Sequence, residues 1–385
     1  MDTLLSQMIS LRRTLHQNPE LSGREHQTAD TIVAHLRAVG LPAQRFAETG
    51  VVCDLPGQQP GARIALRADT DALPITERTG LPFASRHPGR MHACGHDGHS
   101  SILLGAAMQL AAAPPPAPIR CIWQPAEEAA TGAQSMVNAG VLDGVDMIFG
   151  GHIDPRFPSG QLIVTDGAVN ASTDHLCVTV TGQQAHGARP HESRDAVLAA
   201  AQLIVALQSI VSRELPPDEA AVVSIGRMEA GCSHNIIAGS ARLEGTIRSQ
   251  NPAVRAQLAA SIRRIAAGIG AAHRAEIAVA ISPGAPALIN EPVPTRLARH
   301  AAEAVVGAAQ VSVLPERNMG GEDFAVYLQH VPGCYVRFGA ACPERPFAPA
   351  HSSRFDFHEA AMLPASRWMA AVARAAGGHR RSGTL

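Results

Sequence analysis

Short β-branched runs alternate with helical patterns along the first half of this chain, and that order restricts it to an α/β sheet architecture. The runs are Val51 to Leu55, Arg63 to Ala68, Ile119 to Trp123 and Asp146 to Phe149. Apolar spacing predicts helices over Asp2 to Gln17, Arg24 to Val39, Gly98 to Ala112 and Thr131 to Ala139, with Gly40 suited to the left-handed turn that ends the second. From Asp174 the order changes to strand, helix, two strands, helix, strand: His175 to Thr181, Asp195 to Ser212, Ala221 to Met228, Ala241 to Ile247, Pro252 to Ile269 and Glu276 to Ile281. That is the split βαβ arrangement of a ferredoxin-like unit. A length of 385 residues is ample for it to be an insertion. The expected organisation is therefore one discontinuous domain, 1–173 with 285–385, interrupted by a compact unit at 174–284. Glu291 to Ala376 should complete the first sheet, and the tail from Gly377 to Leu385 should fray.

Three of the runs end in polar or ionisable residues. Arg63 to Ala68 leads into Asp69 and Asp71, Ile119 to Trp123 into Gln124 and then Glu127-Glu128, and Asp146 to Phe149 into Gly150, Gly151 and His152. Open α/β sheets bind ligands beyond the carboxyl ends of their strands, so these residues should meet in one crevice. The densest cluster is Met91-His-Ala-Cys-Gly-His-Asp-Gly-His-Ser100. Cys94 and His96, with His99 a turn later, have the chemistry of metal ligands, and Asp97 is placed to fix an imidazole tautomer. The same residues also admit a metal-free reading, with Cys94 as a nucleophile activated by a neighbouring histidine. In extended backbone Glu127 and Glu128 point apart, so one carboxylate could hold a metal while the other moves protons.

Composition removes other chemistries. All 32 basic residues are arginine. Schiff-base and PLP amines, P-loop phosphate lysines and lysine general bases are thereby excluded. A net charge of -1 and an aromatic content of 3% give no field or stacking platform for nucleic acid or an anionic membrane, leaving small molecules or copies of the chain as partners. The 7 cysteines are scattered without a C-x-x-C pair, which suggests a reducing, cytoplasmic setting. No targeting segment is visible, and the longest apolar stretches, Ile102 to Ile119 and Ala196 to Val211, are expected to fall short of a membrane span of about 20 residues.

The motifs and their order resemble a known family. Leu15-His-Gln-Asn-Pro-Glu20, Arg67-Ala-Asp-Thr-Asp-Ala-Leu-Pro-Ile75, Met91 to Ser100, Gln124-Pro-Ala-Glu-Glu128, Gly151-His152, Ala185-His-Gly-Ala-Arg-Pro-His191, Met319-Gly-Gly-Glu-Asp-Phe324 and Ala350-His-Ser352 are similar to segments of the dinuclear metallo-amidohydrolases. That group includes hippurate hydrolase, indole-acetyl-amino-acid (auxin-conjugate) hydrolases and N-acetyldiaminopimelate deacetylase, within the aminoacylase and carboxypeptidase superfamily. The similarity runs from about Leu11 to Met362.

The resemblance implies a metallopeptidase-type mixed sheet flanked by helices, with the inserted ferredoxin-like α+β unit acting as lid and dimerisation domain. It implies two divalent ions per subunit (Mn²⁺, Zn²⁺, Ni²⁺ or Co²⁺) held by Cys94, His96, Glu128, His152 and His351, with Cys94 bridging. Glu127 takes the place of the general base, Asp69 that of a supporting carboxylate, and His186 that of a lid histidine assisting the oxyanion, often from a partner subunit. Asn235 and Arg248 lie where relatives hold the substrate carbonyl and carboxylate. The implied reaction is hydrolysis of N-acyl amino acids to a carboxylic acid and a free amino acid, with a dipeptidase or carboxypeptidase on the same scaffold as the alternative. Thr70, Ala238 and the Ile153-Asp-Pro155 segment depart from the family's usual residues, which bears on side-chain preference.

Overall fold

The computed structural model describes residues 3–61 and 63–379. These divide into two compact units: Met1–Gly167 with Ile289–Pro315 and Asp323–Leu385, and Ala168–Leu288 with Glu316–Glu322. The first unit opens with α1 (Thr3–Gln17) and α2 (His26–Ala38), followed by β1 (Ala43–Phe46), β2 (Gly50–Leu55), β3 (Arg63–Asp69), α3 (His96–Ala112), β4 (Ile119–Gln124), α4 (Gly132–Asn138), β5 (Val145–Pro158) and β6 (Leu162–Ile163). After β7 (Gly167–Asn170) the second unit contains β8 (Ser172–Thr181), β9 (Ala185–His186), α5 (Ala196–Ser209), β10 (Ala221–Ala230), β11 (Ile236–Ile237), β12 (Ser240–Ser249), α6 (Pro252–His273) and β13 (Glu276–Pro283). The chain then continues through β14 (Leu288–Asn290), α7 (Pro292–Val306), β15 (Val311–Ser312), α8 (Phe324–Tyr327), β16 (Gly333–Ala341) and α9 (Met362–His379).

The first unit is a mixed eight-stranded sheet in the order β1-β2-β4-β3-β5-β16-β6-β15. Its centre, β4-β3-β5-β16, is parallel. The carboxyl ends of β3 and β4 therefore lie side by side, beside His152 of β5. Strands β3 and β16 are buried along nearly their whole length, as expected for sheet centres covered on both faces. Helices α1, α3 and α9 supply Met8, Leu11, Leu103, Leu110, Trp368 and Met369 to the same core.

In the second unit the sheet order β10-β12-β8-β13 is antiparallel throughout, which is the ferredoxin-like arrangement. Alternate residues of β8 (Leu176, Val178, Val180) meet Leu203 and Leu207 of α5 and Leu258 and Ile262 of α6.

Some boundaries differ from the sequence reading. Strand β1 was not expected, its four residues being too short to show a period. Strand β5 runs on to Pro158 because β16 pairs beside it as far as that residue. Gly377–His379 are helical, not frayed, within α9; 380–385 lie outside the described residues. A π-helical turn, Ile210–Glu214, prolongs α5. The resulting segment, Ala196–Glu214, is long and apolar enough to cross a membrane, contrary to the expectation for this stretch. Its inner face is nevertheless occupied by the sheet of its own unit.

Candidate active site

Strand β3 ends at Asp69 and leads into Asp71, and both carboxylates face the first turn of α3. Gly95 makes that start possible: its φ of 93° is left-handed, and the next residue, His96, is already helical. His96 Nδ1 lies 3.1 Å from Asp71 Oδ1. With that nitrogen donating, the Nε2 lone pair is left free, and Nε2 is buried without a hydrogen-bond partner. His152 is arranged the same way, its Nδ1 donating to the Ile153 carbonyl at 2.6 Å while Nε2 stands 3.3 Å from Cys94 Sγ. Anchoring one ring nitrogen and freeing the other is how proteins prepare imidazoles as metal ligands.

Glu127 and Glu128 lie on a tight turn between β4 and α4. Ala126 and Ala130 both have φ of 53°, and Gly132 packs so closely that a Cβ there would sit 1.6 Å from the Pro125 carbonyl oxygen. The Glu128 N–H donates to Asp71 Oδ2 at 3.0 Å, so a single carboxylate orients both His96 and this turn. Glu128 Oε1 lies 3.9 Å from His96 Nε2 and 3.3 Å from His351 Nε2, and Glu127 Oε2 lies 4.0 Å from His96 Nε2. His351 is itself at a left-handed φ of 64° and is held by its N–H to the Ala93 carbonyl at 2.7 Å. Cys94-His96-His152, Cys94-Glu128-His351 and His96-Glu127-Glu128 each gather their potential ligand atoms within 4.8 Å of one another.

The electrostatics suit a cation. Burial opposes the charged form of Asp69, but His96, His99 and Arg67 outweigh it and hold the carboxyl well below its usual range. Burial likewise opposes a charged His96, yet the Asp69 charge and the Asp71 hydrogen bond raise it. His152 is pushed down by burial and by the charges of His99 and Arg337. An unpartnered buried polar atom costs about 1–3 kcal/mol. His96 Nε2 is such an atom, and Glu128 Oε1, which also faces His351 Nε2 at 3.3 Å, lies 3.9 Å from it. A soft thiolate, three imidazoles and a carboxylate form a donor set that fits divalent transition ions.

The structure thus brings together Cys94, His96, Glu127, Glu128, His152 and His351, with Asp69 behind them. His186, Asn235 and Arg248 belong to the other unit. There His186 of β9 pairs with Ile236 of β11, the Gly187 N–H donates to the Asn235 carbonyl at 2.7 Å, and Arg248 Nε donates to Thr246 Oγ1 at 2.9 Å.

Two expectations are corrected. Asp97 does not set the tautomer of a site histidine; its Oδ2 faces His16 Nδ1 at 2.8 Å and Arg12 Nε at 3.3 Å, while Asp71 orients His96. His99 offers no free nitrogen, because Nε2 accepts the Ile153 N–H at 2.8 Å and Nδ1 donates to Asp69 Oδ1 at 2.6 Å. Sequence reasoning also overlooked Arg67 and Asp323. Buried Arg67 links Asp69 Oδ2 (2.7 Å) to Asp323 Oδ1 (2.8 Å), and the Asp323 N–H points at Glu127 Oε1 from 3.4 Å. Both lay inside family-like segments, but nothing in those segments distinguished them from their neighbours.

Residues 65–375 match the sequence model of peptidase family M20/M25/M40. An N-acetyl-L-cysteine deacetylase of Bacillus subtilis is 40% identical over 96% of this chain and 88% of its own length. A thermostable carboxypeptidase of Saccharolobus solfataricus is 36% identical over 91% of both chains. The crystal structure of Bacillus subtilis YXEP, described as a dinuclear metal-binding peptidase of the M20 family, superposes with a TM-score of 0.85 at 35% identity, covering 97% of this chain and 98% of that one. A family match across most of the sequence, with relatives this similar over nearly its full length, makes the chain a member of peptidase family M20/M25/M40, a family of hydrolases.

Proposed function

We propose that the chain is a metal-dependent amidohydrolase that cleaves the amide bond of N-acyl amino acids to a carboxylic acid and a free amino acid. The observation that carries this reading is the convergence of Cys94, His96, Glu128, His152 and His351, with His96 Nε2 buried and without a hydrogen-bond partner and a second carboxylate, Glu127, beside it. Cys94, His96, Glu128, His152 and His351 would hold two divalent ions, Mn²⁺, Zn²⁺, Ni²⁺ or Co²⁺. When bound, such ions supply Lewis acidity toward the scissile carbonyl and the attacking water. Glu127 takes the proton from that water on Oε2 and delivers it to the leaving amine. Asp71 keeps His96 in the required tautomer, and Asp69 supports the site through His99, which accepts the N–H of Ile153, the residue after His152.

In the unit at 168–288, we assign His186 to oxyanion stabilisation, Asn235 to the substrate carbonyl and Arg248 to its carboxylate, a pairing that suits the guanidinium fork. The same unit is proposed as lid and dimerisation surface. Leu198 and Val205 on the outer face of α5, and Met228 on the edge strand β10, are exposed apolar side chains that a second copy would cover.

The test is hydrolysis of a panel of N-acetyl, N-benzoyl and indole-acetyl amino acids by protein loaded with each ion. Turnover of at least one member is expected, abolished by a chelator and reduced by Glu127→Gln on the order of 10²–10⁴-fold. No turnover with any ion, or full turnover by Glu127→Gln, would refute the reading. Similarity to a carboxypeptidase favours one alternative, a dipeptidase or carboxypeptidase on the same scaffold. Faster release of amino acids from free peptides than from N-acyl substrates would select it.

A further inference from the structure

We propose that Glu25 is the positioning residue for the Glu127-Glu128 turn. Its carboxylate clamps the turn in a left-handed conformation that the local sequence does not favour. The proposal rests on the roles given above to Glu127 and Glu128 and adds what holds them in place.

The turn is unusual in its chemistry. A chain that must pass through the left-handed region ordinarily uses glycine there, since a Cβ clashes with the following carbonyl. Here both left-handed positions flanking the two glutamates, Ala126 and Ala130, are alanines. The turn therefore needs support from outside itself.

Part of that support is internal. The Ala130 N–H donates to the Glu127 carbonyl at 2.7 Å, and the Gly132 N–H donates to the Ala126 carbonyl at 3.1 Å. The Ala126 N–H points the other way, into the protein, and donates to Glu25 Oε1 at 2.8 Å. The same oxygen accepts the Gly23 N–H at 3.0 Å, and Glu25 Oε2 accepts the Thr49 hydroxyl at 3.1 Å. Glu25 has no exposed surface, so an ionisable side chain has been taken out of water at the start of α2.

A buried carboxylate that accepts two backbone N–H groups and a hydroxyl is fixed in position, and here it is fixed against the residue preceding Glu127. Asp71 performs the matching task on the other side through the Glu128 N–H. The two glutamates are thus held between two carboxylates anchored on separate parts of the fold. Without Glu25 the buried Ala126 N–H loses its acceptor, and Ala126 is free to relax toward a right-handed or extended conformation. Either movement rotates Glu127 and Glu128 away from His96.

The experiment compares Glu25→Ala, Glu25→Gln and the double variant Glu25→Ala/Ala126→Gly. Two quantities are read for each: kcat and KM on the best N-acyl substrate, and the affinity of the metal-free protein for Mn²⁺ or Zn²⁺ by titration calorimetry. Glu25→Ala should lower kcat roughly 10- to 100-fold with little change in KM, because reacting groups are displaced, and should weaken metal binding about tenfold. Glu25→Gln keeps an accepting oxygen and should recover most of both losses. Glycine at 126 adopts the left-handed conformation without a clamp, so the double variant should also recover a large share of kcat and of metal affinity.

A purely structural role for Glu25 predicts no such rescue by glycine. Unchanged kcat and metal affinity in folded Glu25→Ala would overturn the proposal, as would failure of both Gln at 25 and Gly at 126 to restore them. If Glu25→Ala does not fold, Glu25→Asp replaces it, since the shorter side chain draws the acceptor back while keeping the charge. If Glu127→Gln proves fully active, the base assignment fails, but the metal-affinity measurement still decides the clamp through Glu128.

Discussion

His16 provides a sharp test of the electrostatics behind the site. It lies on α1, 1% exposed, with Nδ1 2.8 Å from Asp97 Oδ2 and Nε2 3.3 Å from Glu77 Oε1. Burial alone would lower its pKa, but the hydrogen bonds to Asp97 and Glu77 and the Asp97 charge outweigh burial and raise it to about 9. An imidazole in an unfolded chain titrates near 6.5, so the gap is worth on the order of 3 kcal/mol. The folded state binds the proton more tightly. The stabilisation is therefore complete below about pH 6.5 and disappears as pH rises through 9. Urea unfolding of wild type and His16→Gln, both held in chelator at pH 6 and pH 9.5, isolates this contribution because other titrating groups cancel in the difference. The advantage of wild type over the variant should shrink by about 3 kcal/mol between the two pH values. In parallel, an NMR titration of the His16 ring should show a midpoint near 9. A constant advantage across that range, or one that grows with pH, would refute the ion pair as the source of the stabilisation.

Four further outcomes follow from the same geometry. Arg12→Met leaves Asp97 buried, and Asp356 and Glu359 nearly so, facing an apolar side chain, and should destabilise the fold by about 3–5 kcal/mol, measured by denaturant unfolding. Gly132→Ala places a Cβ against the backbone of Pro125, so folded protein should be recovered poorly or should bind metal more weakly in calorimetric titration. With burial raising Cys53 and Cys334 to about 12 and exposed Cys232 accessible, a thiol reagent at pH 8 should label Cys232 well before either buried cysteine, as peptide mapping will show. Adding Mn²⁺ or Zn²⁺ to chelator-treated protein should raise its melting temperature with metal concentration, and an unchanged melting temperature would count against the site.

The parts of the molecule legible in the sequence are those whose signal is periodic or local. Short apolar, β-branched runs marked β3 and β4, alternation marked β8 and the order of strands and helices its ferredoxin-like unit, and clustering along the chain marked Cys94, His96 and the Glu127-Glu128 pair. The partners that hold these groups were less legible because they arrive from distant segments with no pattern of their own. Glu25 reaches Ala126 across about a hundred residues, and Arg67 reaches Asp323 across more than twice that separation. Asp97 illustrates the opposite error. It sits beside His96 in sequence, but on the first turn of α3 the two side chains leave in different directions, and the carboxylate is spent on His16. Adjacency in the chain predicted an interaction that helix geometry does not permit.

The ferredoxin-like unit begins and ends on neighbouring strands. Asp174 of β8 stands opposite Pro283 of β13, the Gly284 N–H donates to the Thr173 carbonyl at 2.7 Å, and the Thr173 N–H donates to the Ala285 carbonyl at 2.9 Å. Entry and exit of more than a hundred residues thus share a single ladder. The segment 174–283 therefore leaves and rejoins the chain at one pair of strands, although Glu316–Glu322 also belongs to the same compact unit. Changes on the outer surface of that segment need not disturb the strand pair at its base.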